Sequence, residues 1–260
     1  MSPYDKSLEP DGSSQRLSSG EYVLSIIVPV YNERDTWKQT FDRLQAVDLG
    51  AVKKQVIFVD DCSTDGTTEQ LRALSEQRPD VIVKFHLQNR GKGAAIRTGL
   101  SAASGDFVVI QDADLEYDPA DLTALLEPLM ADEADVVYGS RFASRSISRG
   151  RLMNYLANRF LTWLSNLTTG LNLTDMETCY KVFRLSVLKK LELFEERFGF
   201  EPEVTAKVSG LNVRICERPI RYSPRGVKEG KKIGLADGFE AIKCIFKYRP
   251  SRRRRAGARH

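Results

Sequence analysis

A chain of 260 residues that is 42% hydrophobic and 28% charged holds enough apolar material for one large α/β domain, or for a domain with a small appendage. Its formal charge of +4 is a local feature: RPSRRRRAGARH carries Arg249, Arg252, Arg253, Arg254, Arg255 and Arg259 with no acid, and subtracting those six leaves −2. A near-neutral body argues against a protein that coats nucleic acid, because such a protein spreads positive charge across a folded face.

Residues 1–21, rich in Ser, Gly, Pro and charge, read as a disordered lead-in. From Leu24 short β-branched runs alternate with helical stretches, the pattern of a mostly parallel sheet whose crossover helices cover strands buried on both faces. The expected strands are 24–30, 55–60, 81–87, 106–112 and 134–139, with helices near 34–47, 66–77, 91–103 and 119–131. After Gly139 the alternation stops. Leu152, Leu156, Phe160, Trp163 and Leu167 then recur at helical spacing within 151–171. A strand KVFRL, a helix near 201–209, a strand over 213–222, a Gly/Lys-rich loop and a helix at about 235–248 complete the folded part. The expected organisation is a domain over 22–248 and a polybasic tail over 249–260.

Cys62, Cys179, Cys216 and Cys244 stand far apart without a CxxC pair, so neither a zinc site nor a disulfide framework is indicated and a reducing cytosol is expected. No run approaches the roughly 18 apolar residues of a membrane span, so the expectation is a soluble or peripheral chain.

The chemistry concentrates in DFVVIQDADLEYDP, where an apolar run ends in Asp112, Asp114 and Glu116. In open α/β sheets the ligand crevice lies at the carboxyl ends of the strands. Asp112 and Asp114 share a side on an extended backbone, and Glu116 continues the row if the chain stays extended. Crowded carboxylates raise one another's pKa unless a cation lies between them. Oxygen-rich sites of this kind suit Mg²⁺ or Mn²⁺, whose shell is completed by waters and substrate phosphates. A lone DxD is more often a solvated loop. Here VPVYNE, VDDCSTDGT and QNRGKGAAIRTG end the first three strands with polar clusters that face the same crevice. Taken singly these are turn and cap chemistry; their co-location favours a site.

Taken together SIIVPVYNE, VDDCSTDGT, NRGKGAAIRTG, QDADLEYDP, VVYGSRF, TDMETCYKVFR, GFEPEVTAK and PRGVKEGKKIG resemble the inverting nucleotide-sugar glycosyltransferases of family 2, and within it the polyprenyl-phosphate (dolichyl-phosphate) mannosyl- and glucosyltransferases. The resemblance covers roughly residues 24–248. It implies a GT-A, Rossmann-like nucleotide-sugar fold. It also implies that Pro29, Tyr31, Glu33, Asp60, Asp61, Lys92, Ala113 and Arg225 meet the donor, and that Asp112 and Asp114 hold metal and diphosphate with Glu116 completing the metal site. Many mannosyl relatives have Gln where this chain has Glu116. Arg141 and Arg151 are assigned to the acceptor phosphate, with Arg145 and Arg149 as neighbouring candidates for the second role. Each arginine also reads as an ordinary surface charge.

Transfer from a nucleotide sugar requires charge to be stabilised on the departing diphosphate, which a dication and an arginine do without a proton. A phosphate acceptor, with a second pKa of about 6, attacks as an anion without a base; a hydroxyl needs a carboxylate, for which Asp175 or Glu177 are the candidates unless they merely cap a loop. The expected function is thus hexose transfer from UDP-glucose or GDP-mannose to polyprenyl phosphate at the cytosolic membrane face, with a hydroxyl-acceptor enzyme of the same fold as the alternative. The helix over 151–171 and the C-terminal segment fit an anionic membrane surface or a membrane partner, and the same helix fits a core element. A nucleotidyltransferase would open with a Gly-rich phosphate loop where this chain reads PVYNERD.

Overall fold

Strand β1 (Tyr22–Val30) is buried from Leu24 to Val28, as befits an apolar run covered on both faces. It opens a computed structural model that describes residues 21–143, 152–224 and 235–250. In chain order there follow α1 (Trp37–Ala46), β2 (Val52–Asp60), α2 (Thr67–Gln77), β3 (Ile82–Phe85), α3 (Lys92–Ala102), β4 (Phe107–Ile110) and, after a 3₁₀ turn at Pro119–Asp121, α4 (Leu122–Met130). The second half holds β5 (Val136–Ser140), α5 (Leu152–Thr169), β6 (Lys181–Arg184), α6 (Leu185–Leu188), α7 (Phe200–Val208), β7 (Ile215–Pro219) and α8 (Leu235–Lys247).

The strands form one seven-stranded sheet in the order β3-β2-β1-β4-β6-β5-β7. Pairing is parallel from β3 to β4 and between β5 and β7, while β6 is antiparallel to both its neighbours. This is the expected GT-A-like α/β architecture. The single reversal has a consequence for the site: β4, β5 and β7 finish at the edge where β6 begins, so the residues leading into β6 join the crevice.

Some boundaries move for identifiable reasons. Strand β2 begins at Val52, three residues before the expected start. Lys54 is fixed there because its ammonium donates to the carbonyls of Leu44, Gln45 and Val47 at 2.8 to 2.9 Å, satisfying the carbonyls at the end of α1. Strand β4 stops at Ile110 rather than Asp112. Helix α3 lies close on the sheet because it is built from small residues; a Cβ at Gly99 would collide with Ile27.

The core reading of the 151–171 helix is corrected. Leu156, Phe160, Trp163 and Leu167 point outward, while the inward face of α5 is Leu161, Thr162, Leu164, Ser165 and Thr169. Leu161 and Leu164 join a small cluster with Met176, Ala241 and Ile245, separate from the main core.

Candidate active site

The carboxyl ends of β1 and β2 are held together by their own loops. Asn32, at φ +53°, accepts from the Thr64 backbone at 2.8 Å and its own N–H donates to Ser63 Oγ at 3.0 Å. Asp60 accepts from the Ser63 hydroxyl and the Thr68 hydroxyl at 2.5 Å each. Asp61 accepts from the backbone of Arg90 at 2.9 Å and of Gly91 at 2.6 Å, and lies 2.6 Å from His86 Nδ1. Both aspartates are buried: they shape the floor of the crevice. Pro29 and Glu33 are partly exposed above that floor, and Tyr31 is exposed at its rim.

Helix α3 begins at Lys92, whose Nζ stands 2.9 Å from Asp112 and 3.1 Å from Glu201 of α7. Burial opposes the charge on Lys92, but the carboxylates, Asp112 foremost, hold its pKa well above the usual lysine value. The preceding Gly91 has φ +92°, and a Cβ on it would come within 2.5 Å of the Glu196 carbonyl. Only glycine accepts both conditions.

The acidic stretch does not continue as a strand. The chain turns at residues 113–115, with Leu115 at φ +65°, and the Asp114 carboxylate accepts from the Glu116 N–H at 3.1 Å. This corrects the extended row. Glu116 instead accepts from the Tyr222 hydroxyl at 2.5 Å. Among the described residues no group of three His, Cys, Asp or Glu side chains is placed to cage a metal. The donor set is nonetheless all oxygen. It fits a divalent ion held by one or two carboxylates and completed by substrate phosphates better than a self-sufficient protein cage.

At the end of β5, the Arg141 guanidinium donates to both Asp175 oxygens at 2.7 and 2.8 Å, and the Arg141 backbone donates at 3.0 Å. The guanidinium lies 5.0 Å from the Tyr222 ring centroid. Burial works against this cation, yet Asp175 holds its pKa well above the ordinary arginine value. Asp175 is fully buried, and both of its oxygens accept from Arg141. Its loop is anchored in turn by Glu217 of β7, which accepts from Thr174 N at 2.9 Å. Glu177 differs. Its Oε1 is buried with no hydrogen-bond partner among the described residues, and burial, with Glu201 adding repulsion, pushes its pKa up to about 7.

A family model described as "Glycosyl transferase family 2" matches residues 25–192. The chain belongs to glycosyl transferase family 2. The undecaprenyl-phosphate mannosyltransferase of Micrococcus luteus is 32% identical over 234 residues, which cover 85% of this chain and 92% of the relative. The dolichol-phosphate mannosyltransferase of Pyrococcus furiosus is 27% identical, with 86% and 63% coverage, and the dodecaprenyl-phosphate galacturonate synthase of Rhizobium johnstonii 28%, with 84% and 64%. The chain thus spans less than two thirds of the length of the last two relatives. In fold it matches the glucosyl-3-phosphoglycerate synthase of Mycobacterium tuberculosis, with a TM-score of 0.65 at 22% identity over 89% of this chain and 82% of that one. The same enzyme solved with Mn²⁺, UDP-glucose and glycerol 3-phosphate gives 0.62 at 22% identity and the same coverage.

In this family 2 glycosyltransferase one edge of the sheet therefore gathers Asp60, Asp61, Lys92, Asp112, Ala113, Asp114, Glu116, Arg141 and Asp175. Arg151 and Arg225, with Arg145 and Arg149, lie outside the described residues. Sequence reading missed Glu201, His86, Tyr222 and Glu217 as parts of the site. GFEPEVTAK carried a signal for Glu201, since an acid in the first turn of a helix is stabilised by the dipole without being drawn to it alone, but nothing in the sequence paired it with Lys92.

Proposed function

We propose that this glycosyltransferase moves a hexose from a nucleotide diphosphate sugar to a polyprenyl phosphate at the cytosolic face of a membrane, with inversion at the anomeric carbon. The acceptor phosphate oxygen attacks the anomeric carbon while the bond from that carbon to the donor diphosphate breaks, and the electron pair leaves with the nucleoside diphosphate. No proton moves, because the phosphate is already anionic at neutral pH. Pro29, Tyr31 and Glu33 would line the nucleoside end above the Asp60 and Asp61 floor, Ala113 and Lys92 would flank the diphosphate, and Arg225 would close over it. The described chain supports that last role by returning to the acidic turn just before Arg225, where Ser223 N donates to Glu116 O at 2.9 Å.

Asp112 and Asp114, with Glu116 nearby, would hold Mg²⁺ or Mn²⁺, which supplies charge neutralisation for the leaving diphosphate. Arg141, with Arg151, would receive the acceptor phosphate.

The observation that carries the reading is the Arg141 and Asp175 pair: a buried, oriented cation at the crevice whose partner carboxylate is fully engaged suits an anionic acceptor more than a hydroxyl requiring a base. The names of the three relatives above each include a polyprenyl phosphate, with different sugars. One experiment decides the acceptor class: incubation with Mg²⁺, labelled UDP-glucose or GDP-mannose, and a short-chain polyprenyl phosphate, followed by organic extraction. Label is expected in the organic phase. Donor consumption with label confined to water would transfer the reading to a hydroxyl acceptor, with Glu177 as the remaining carboxylate candidate.

A further inference from the structure

His86 directly follows β3, and its backbone N–H donates to Asp60 O at 2.9 Å, which carries the pairing of β2 with β3 one residue further. The side chain is only 7% exposed. Its Nδ1 lies 2.6 Å from Asp61 Oδ1 and its Nε2 lies 2.8 Å from Thr98 Oγ1. A carboxylate can only accept, so Nδ1 carries the hydrogen. Nε2 accepts from the Thr98 hydroxyl in the neutral ring and donates to it in the charged one. The bond to Asp61 is the same in both forms.

Asp61 in turn holds the approach to α3. Its Oδ1 also accepts from Arg90 N at 2.9 Å, its Oδ2 accepts from Gly91 N at 2.6 Å, and its backbone oxygen accepts from Asn89 Nδ2 at 3.2 Å. Gly91 is held there at φ +92°. The next residue is Lys92, whose ammonium stands between Asp112 and Glu201, and Thr98 lies further along the same helix. His86 therefore links Asp61 to the body of α3 while Asp61 grips its first residues. An ionised acceptor gains more from each donor than a neutral one, and a buried acceptor loses most when a donor is removed. Without the ring, only the two backbone N–H groups would hold the Asp61 carboxylate in place.

We infer that His86 is a positioning residue for the donor: it fixes Asp61, Asp61 fixes Arg90 and Gly91, and these present Lys92. The ring acts through others, being too buried to meet substrate. This role rests on the reading that Lys92 flanks the donor diphosphate, and it extends that reading to a side chain away from the acidic turn.

Variants of the full chain test this by residue-resolved amide hydrogen exchange and by calorimetric titration of UDP-glucose and GDP-mannose in Mn²⁺. His86→Phe keeps a ring and removes both side-chain bonds. His86→Asn keeps a donor at the Nδ1 position and loses only the reach to Thr98. In His86→Phe the amides of Arg90 and Gly91 should exchange faster, and the donor Kd should rise by about tenfold, while the acceptor KM in the transfer assay stays at the parent value. His86→Asn should restore most of both. Unchanged exchange at Arg90 and Gly91 in His86→Phe overturns the inference, as does faster exchange with an unchanged donor Kd, or His86→Asn behaving like His86→Phe. If His86→Phe does not fold, Thr98→Val serves beside His86→Asn: both should stay near the parent in exchange at Gly91, and fast exchange there in His86→Asn overturns the role. Lys92→Met separates this inference from the reading beneath it. A raised donor Kd in Lys92→Met beside a normal one in His86→Phe overturns the role of His86 alone, whereas an unchanged Kd in Lys92→Met takes the diphosphate reading down with it.

Discussion

Asp175→Asn tests whether the site is organised around a buried, positioned cation. Asp175 is fully buried, and both of its oxygens are committed to Arg141. Asparagine keeps the shape and one acceptor, but it removes the charge that offsets the desolvation of the guanidinium. Breaking a buried ion pair by removing one partner costs about 3–5 kcal/mol. The remaining acceptor and the Tyr222 ring beside Arg141 place this case near the lower figure, about 3 kcal/mol. With a urea m-value of about 3 kcal/mol/M, the upper end for small proteins, the midpoint should fall by about 1 M.

Adding Arg141→Met to Asp175→Asn removes the stranded charge, so the double variant should be more stable than Asp175→Asn alone, and the cycle should show strong coupling. In the transfer assay Asp175→Asn should raise the acceptor KM, because the cation loses its fixed direction. Unfolding at the parent's urea concentration, together with a lost kcat and an unchanged KM, would refute the positioning role and return Asp175 to the role of a base.

Glu177 gives a pH signature. Because its folded pKa is raised, the stability tied to its protonated form is complete below the ordinary carboxylate range and is lost as pH rises through about 7. The rise from 4.5 to about 7 corresponds to at most about 3 kcal/mol, which partial exposure of the side chain reduces. Stability curves of the parent and Glu177→Gln against pH should therefore diverge between about pH 5 and 8 in favour of the variant, and parallel curves would contradict the assignment. Gly93→Ala drives a Cβ into the Glu195 carbonyl and should cost about 1–3 kcal/mol by urea titration while raising the donor KM; a neutral substitution would show that the Lys92 loop is not tightly packed. For the metal reading, calorimetric titration of UDP-glucose and GDP-mannose should give binding in Mn²⁺ that excess chelator or Asp114→Ala abolishes, and equal affinity in chelator would remove the ion from the scheme.

The strands that carry the site were legible because burial leaves a local trace. Leu24 to Val30, Val56 to Asp60 and Phe107 to Ile110 are apolar runs that stop at polar turns, and the crevice follows from parallel pairing. The turn at Leu115 was not legible: an alternation of acids reads as an extended row, and nothing nearby announces a positive φ on leucine. Helix α5 shows the limit of periodicity itself. Spacing located the apolar stripe and gave no sign that the hydroxyl-bearing face of Thr162, Ser165 and Thr169 would be the one turned inward, because which side is covered depends on Met176 and α8.

The pairings that set the electrostatics are long-range, and a sequence holds the members without the pairing. Lys92 meets Asp112 across 20 positions and also reaches Glu201 of α7. Two carboxylates on one ammonium leave that trio with an excess negative charge, which the buried Lys181 beside Glu201 offsets in part. Arg141 with Asp175 is balanced. A diphosphate entering beside Lys92 would therefore face repulsion from Asp112 unless a dication accompanied it, whereas a single phosphate beside Arg141 would meet a cation already fixed in direction. With donor and acceptor placed as proposed, the donor side would call for a metal and the acceptor side would not.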